Sequence, residues 1–310
     1  MDRKLVVSTS PHLKSPEDIQ SIMTDVMVAL FPATLMGVLI FGYQALVTII
    51  LAVVAAMVTE AIILRKGNLF GDGSAALTGL FLALVLPPSP PWWVVVIGSV
   101  VAIAVGKHLF GGIGNNIFNP ALVGRAVLVV SWGAHIAGDV WVRPQPFAFM
   151  ADTVTQATAL STYDFSLWDL FIGTVPGSIG ETSALALLLG GLWLLYRGHI
   201  EWRIPGAFIG IVFIMGLIDG GFGMGLYHVL AGGVMIGALF MATDMVTSPV
   251  TPVGRLIFGF GCGLITMIIR LFGAYPEGVM FAILLMNSLT PIIDNLTLPK
   301  KFGEVKRSDA

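Results

Sequence analysis

The segment Asp152-Thr153-Val154-Thr155-Gln156-Ala157-Thr158-Ala159-Leu160 places three threonine hydroxyls behind one carboxylate, between two long apolar stretches. A threonine hydroxyl can be esterified by a phosphoryl group. Such a bond tethers a molecule while leaving its own ring system untouched. Asp152, Thr155, Ala157 and Thr158 stand in the spacing Asp-x-x-Thr-x-Ala-Thr. Taken alone, the same peptide also suits a polar surface loop in which Asp and Thr side chains cap local backbone groups. Other chemistry-bearing residues are sparse. The single Cys262 can form neither an internal disulfide nor a thiolate-held cluster, and it sits in an apolar segment as a small packing residue. The run Gly111-Gly112-Ile113-Gly114-Asn115-Asn116 lacks the preceding strand of a nucleotide-binding fingerprint. Its glycines suit a re-entrant turn, and Asn115, Asn116 and Asn119 can satisfy the backbone groups that such a turn frees; the second use is a pocket for a planar ring, with Asn115 and Asn119 as candidate binding residues.

The elements that must position these residues are membrane helices. The chain is 56% hydrophobic and 11% charged. Soluble domains carry about 25% charged residues, so an all-α integral membrane protein is expected. The net charge of -2 says nothing about nucleic acid, the sequence has no basic stripe, and no nucleic-acid partner is expected. The first 20 residues are polar and lack the apolar core and cleavage site of a secretory signal, so the first helix is expected to act as its own insertion signal. Apolar runs predict ten crossings, near 22–41, 45–64, 75–86 (short), 92–109, 119–135, 182–196, 204–218, 226–242, 253–272 and 278–293.

Placing the N-terminus inside collects Arg3, Lys4, Lys14, Arg65, Lys66, Lys107, Arg197, Arg203, Arg255, Lys300, Lys301, Lys306 and Arg307 on the cytoplasmic side. Only Arg143 and Arg270 fall outside or near the outer face, and Arg125 lies within a helix. The predicted organisation is a cytoplasmic segment 1–21, a membrane unit 22–136, an outer loop 137–181 carrying Thr158, a membrane unit 182–294 and a cytoplasmic tail 295–310. Trp141, Phe147, Phe149, Tyr163, Phe165 and Trp168 in the outer loop suit either a headgroup interface or the packing of a planar ring.

An internal duplication is visible. A shift of 162 residues brings Pro87 onto Pro249, Pro90 onto Pro252, Leu109-Phe110-Gly111 onto Leu271-Phe272-Gly273, and His108 onto Arg270. A slightly different offset brings Leu80-Phe81-Leu82-Ala83 onto Leu239-Phe240-Met241-Ala242. Five crossings per copy is an odd number, so the copies are expected to be inverted, with the working site at their interface.

Lys107-His108-Leu109-Phe110-Gly111-Gly112-Ile113-Gly114-Asn115-Asn116-Ile117-Phe118-Asn119-Pro120-Ala121 resembles the signature loop of the D subunit of the Rnf complex. Further matches are Ser248-Pro249-Val250-Thr251-Pro252-Val253-Gly254-Arg255, the run from Arg270-Leu271-Phe272-Gly273 through Tyr275-Pro276-Glu277-Gly278 to Asp294, Ser10-Pro11-His12 and Leu86-Pro87-Pro88. The related NqrB subunit of sodium-translocating NADH:quinone reductase usually carries an N-terminal extension that is absent here. The resemblance covers nearly the whole chain. It implies a membrane subunit coupling electron transfer between ferredoxin and NAD to Na⁺ or H⁺ translocation, on a fold like that of urea transporters. It implies FMN attached to Thr158 by a flavin transferase, and a second, non-covalent riboflavin in the membrane part. It also implies partner subunits of the Rnf complex, among them an FMN-carrying subunit and iron–sulfur subunits. Gln156 stands where the family often has Gly.

Ionisable groups inside a bilayer are functional candidates. Asp25, Glu60, Asp219 and Asp294 lie close enough to helix ends to reach water, whereas Asp244 and Arg125 lie deeper and are candidates for a flavin or ion site. Arg125 suits a buried carboxylate as readily as a flavin carbonyl. The alternative function is an inverted-repeat channel or carrier for a small polar solute, which has no use for a flavin anchor at Thr158. A third is a membrane subunit that only holds redox partners.

Overall fold

The computed structural model describes residues 18–65, 71–136, 141–142, 144, 157–273 and 277–299, and these are overwhelmingly helical. In chain order the first half contains α1 (Ile19–Phe41), α2 (Tyr43–Leu64), α3 (Ser74–Leu84), α4 (Trp92–His108) and α5 (Pro120–Ile136). Two short helices follow, α6 (Ala159–Thr162) and α7 (Leu167–Ile172). The second half contains α8 (Ala184–Arg197), α9 (Arg203–Leu230), α10 (Val234–Ile236, running on as a π-helical turn, Gly237–Met241), α11 (Pro252–Phe272) and α12 (Val279–Thr297). The last part of α4, Ala102–His108, is also π-helical.

Five of these helices, α1, α2, α9, α11 and α12, are long and apolar enough to cross a bilayer, and shorter apolar helices lie among them. Phe31, Ile62, Ile218 and Phe272 are exposed on them while Leu30, Ala52, Phe208 and Phe258 are buried. Helices apolar on both their inward and outward faces belong in lipid, so the chain is a multi-pass membrane protein.

The short helices organise the core. At 11 residues, α3 rises about 16 Å, roughly half the hydrocarbon thickness. Nearly all of its residues are buried. It lies so close to α2 that a Cβ at Gly79 would stand 2.7 Å from the Ala52 carbonyl oxygen, the close approach that small residues allow between membrane helices. The end of α3 leaves buried carbonyls without intrahelical partners, and such groups must be satisfied by protein. The segment 178–181 does this: Gly180 N donates to Leu84 O at 2.7 Å and Ile179 N to Leu86 O at 3.1 Å. At α10 the corresponding partner comes from the other half of the chain, where Asn119 Nδ2 donates to Met241 O at 3.3 Å. Both short helices are entered through a glycine with positive φ, Gly73 at 80° and Gly232 at 66°, a backbone state other residues adopt only at a cost.

The predicted elements need one revision. The run 204–218 returns as the first arm of α9, which leaves helical geometry at Gly220 and Gly221 and folds back so that Gly225 packs against Gly216 and Phe213. The second arm continues only to Leu230, so the revision falls on the predicted crossing at 226–242. The chain then breaks at 231–233 before α10 begins. The apolar run is unbroken across this point, so hydropathy alone joins what the positive φ of Gly232 separates.

Candidate functional site

Two sites emerge, joined through α5. The first surrounds Thr158. This residue is buried and sits in extended backbone (φ -70°, ψ 159°) as the N-cap of α6. Its carbonyl accepts from Thr162 Oγ1 at 3.4 Å. The Tyr227 hydroxyl pins α6 by donating to Ala159 O at 2.8 Å. Leu160 packs with Leu170, Val175, Tyr227 and Ala231 in a small apolar cluster beneath. Thr158 lines a pocket of about 20 Å³ with Glu181, Thr182, Gly232 and Glu277. That space suits a water-sized group, so a ring tethered to Thr158 would lie outside it. The exposed rings of Tyr163 and Trp168 follow a few residues on in the chain.

The pocket wall is charged. Arg125, buried on α5, places Nη1 3.4 Å from Glu181 Oε1 and bonds Glu277 through Nη2. Arg270 on α11 donates from Nη1 to His228 O at 2.6 Å and from Nη2 to Ala231 O at 2.9 Å, holding the end of α9 and the entry to α10. Glu181 lies in the connection ahead of α8, outside the spanning helices. Burial, reinforced by the Glu277 carboxylate and opposed by Arg125, pushes its carboxyl up to about 7. Of the residues read from sequence, Thr158, Ala157 and Arg125 come to this region. Asp152 and Thr155, with Phe147 and Phe149, lie outside the described residues. Trp141 is buried rather than interfacial.

The second site is a cavity of about 120 Å³ between α1, α3, α5, α8 and α10. Its walls carry Lys107, Ser74, Asn116, Asn119, Thr243 and Asp244, and otherwise mostly apolar side chains including Phe81 and Phe240. These two phenylalanines are matched by the internal repeat, one from each half of the chain. Asn119 caps α5, its Oδ1 accepting from Ala121 N at 3.1 Å while Nδ2 reaches α10. Lys107 is buried and bonds both Glu60 and the Ser74 hydroxyl. His108 Nε2 lies 3.1 Å from the same Glu60 oxygen. Asp244 accepts from Val246 N and Thr247 Oγ1, each at 3.3 Å.

The water-facing expectation for Glu60 is therefore overturned: it is 7% exposed and its charge is taken up by Lys107. Lys107, expected as one of the loop cations, is buried with it. Asp25 keeps the expected edge position, paired with the exposed Arg197 and with His199. Asp219 is half-exposed, and Asp294 Oδ1 accepts from Val250 N at 3.0 Å. Asn115 joins neither site; it is exposed on the loop whose glycines 111, 112 and 114 all take positive φ. Sequence reasoning missed Glu181 and Glu277 as partners of Arg125. Charges at the ends of apolar runs were their only signal, and nothing in that signal pairs them.

A profile of the NQR2, RnfD, RnfE family matches residues 6–303. The chain is 45% identical to the D subunit of the Na⁺-translocating ferredoxin:NAD⁺ oxidoreductase complex of Acetobacterium woodii, covering 97% of this chain and 96% of that one. It is 46% identical to the D subunit of the proton-translocating ferredoxin:NAD⁺ oxidoreductase complex of Clostridium ljungdahlii, covering 96% of each. It is 38% identical to the D subunit of the ion-translocating oxidoreductase complex of Stutzerimonas stutzeri, covering 93% of each.

Proposed function

Because this chain belongs to the NQR2, RnfD, RnfE family, we propose that it is the D-type subunit of an ion-translocating ferredoxin:NAD⁺ oxidoreductase complex and holds two flavins. One is FMN, esterified to Thr158. The other is a non-covalent riboflavin in the cavity lined by Lys107, Asn119 and Asp244. Flavins supply the electron-carrying chemistry; this chain supplies position and electrostatics. At the first site Tyr227 and the apolar cluster under Leu160 hold the anchor helix in place. Thr158 would then carry its ester beside a pocket lined also by Glu181 and Glu277. At the second, the apolar walls with Phe81 and Phe240 suit a ring system. Asn116, Asn119, Thr243 and Asp244 offer the donors and acceptors that a flavin edge takes up.

In the proposed architecture α1–α5 and α8–α12 form two inverted five-helix repeats. In each, the third helix is short, begins after a positive-φ glycine and packs among longer neighbours. The cavity then lies at the repeat interface near the midplane, the usual place for a transporter's working site. The Lys and Arg distribution puts both termini on the cytoplasmic side and Thr158 on the outer side. From Asn119 in the cavity to Arg125 beside Thr158 is six residues of α5, about 9 Å along the axis, so the two flavin sites would be close neighbours through one helix. Iron–sulfur and further flavin-bearing partners supply the remaining redox steps.

The observation that carries the proposal is the placing of the motif's last threonine, Thr158, at a helix N-cap beside the charged Arg125 cluster. The test is co-expression with the flavin transferase, in-gel fluorescence after denaturation, and mass spectrometry of the peptide containing Thr158. An FMN-sized adduct is expected there. Thr158→Val should abolish it while the complex still assembles. Covalent flavin retained in that variant would reject the site, and no adduct beside an active control substrate would move the reading toward a solute channel.

A further inference from the structure

We infer that Lys107 is the charge that sets the reduction potential of the flavin in the inner cavity, with Glu60 as the counter-charge restraining it. The inference rests on the reading of that cavity as a flavin site. Among the described residues, three side chains of the cavity wall can carry charge: Lys107, Asp244 and His199. His199 is committed to Asp25, with Nε2 2.7 Å from Oδ2. Asp244 is held by Val246 N and Thr247 and repels added negative charge. Lys107 is thus the wall residue able to favour a negative charge on a bound ring.

Its surroundings make that effect adjustable. Lys107 is 3% exposed, so water screens its ammonium little, and a charge at such a site acts more strongly than one at the surface. Each electron taken up by a bound flavin without a proton adds one negative charge. The electron comes from the redox partners of the complex, and a nearby ammonium lowers the free energy of the charged product. Glu60 opposes this by neutralising Lys107, but the Glu60 oxygen that binds Lys107 is also 3.1 Å from His108 Nε2. Lys107 lines the cavity whereas its counter-charges, Glu60 and, through Ser74, Asp72, do not, so the ammonium stands nearer a bound ring than the carboxylates that balance it. Ser74, at the start of α3, accepts from Lys107 and donates to Asp72, which fixes the ammonium at the cavity floor.

The test uses the purified complex. Non-covalent flavin is released and quantified by chromatography, and its potential is measured by redox titration. Glu60→Gln removes the counter-charge and should raise the potential, the affinity for the one-electron-reduced form increasing about tenfold, which is about 59 mV for a one-electron couple. Lys107→Met combined with Glu60→Leu removes both charges, strands neither in the interior, and, because the pair carries no net charge, should lower the potential by less than Glu60→Gln raises it. Lys107→Arg should stay near wild type. Opposite shifts at normal flavin content are the expected result. Unchanged potentials in both variants, shifts of the same sign, or loss of the flavin from both would overturn the assignment of Lys107. A wild-type complex with covalent FMN but no non-covalent flavin would instead overturn the cavity reading itself.

Discussion

Arg125 tests whether the charged base of the Thr158 pocket is a structural unit. Its side chain is 9% exposed, against 3% for Glu181 and 19% for Glu277, so all three are largely removed from solvent. At the 3.4 Å separation of Arg125 Nη1 and Glu181 Oε1, the gross attraction is about 5 kcal/mol with an effective dielectric of about 20. Desolvation offsets much of that in the intact cluster. Arg125→Met removes the attraction and leaves two buried carboxylates facing one another, a change that typically costs about 3–5 kcal/mol. Unfolding entropy of about 2.1 cal/mol/K per residue, over 310 residues, converts this to a fall of about 5–8 °C in Tm. The assay is thermal unfolding of the detergent-purified complex, followed by size-exclusion recovery of this subunit. The triple variant Arg125→Met, Glu181→Gln, Glu277→Gln removes the stranded charges and should recover more than half of the loss. A single variant within about 1 kcal/mol of wild type would refute the reasoning, since that is the scale of an exposed pair. So would a triple variant no more stable than the single.

Two further outcomes follow from the same region. The Glu181 carboxyl sits at about 7 in the folded chain against an ordinary 4.5, so folding favours its protonated form. The stability this confers is complete below pH about 4.5 and is lost as pH rises through 7. Glu181→Gln should flatten the decline of Tm between pH 5 and 8, and an unaltered profile would mean that Glu181 does not titrate across that range. Tyr227→Phe removes the hydroxyl that pins α6 and should cost about 1 kcal/mol. Hydrogen exchange should accelerate in the peptide spanning 157–165 while α11 is unaffected; unchanged protection there would show that α6 is held by Leu160 alone.

Much of the membrane architecture was legible because hydropathy and charge are averaged over long windows. Runs near 22–41, 45–64, 253–272 and 278–293 return as α1, α2, α11 and α12 with ends moved by a few residues. The error fell at 226–242, where Gly232 and Gly233 interrupt an apolar run without changing its hydropathy. Thr158 was legible as a motif and Arg125 as a charge out of place, but not the bond between Arg125 and its two carboxylates. Glu181 and Glu277 lie 56 and 152 residues away from it in the chain, and periodicity carries no information across such separations. Glu60 was misread for the same reason: from its own helix it looks like a terminal carboxylate able to reach water. Lys107, 47 residues on, closes over it only when α4 packs against α2.

The sequence by itself determined that the chain lives in a membrane, which family it resembles and which threonine is the candidate anchor, because these depend on residue type and local order. Tertiary structure alone decided that Phe81 and Phe240 line one cavity, that Lys107 pairs with Glu60, and that Arg125 bridges two carboxylates beside Thr158. The physical reason is burial. In a low-dielectric interior a charge or a freed backbone group must find a partner wherever the fold brings one, and the partner is chosen by packing rather than by proximity in the chain.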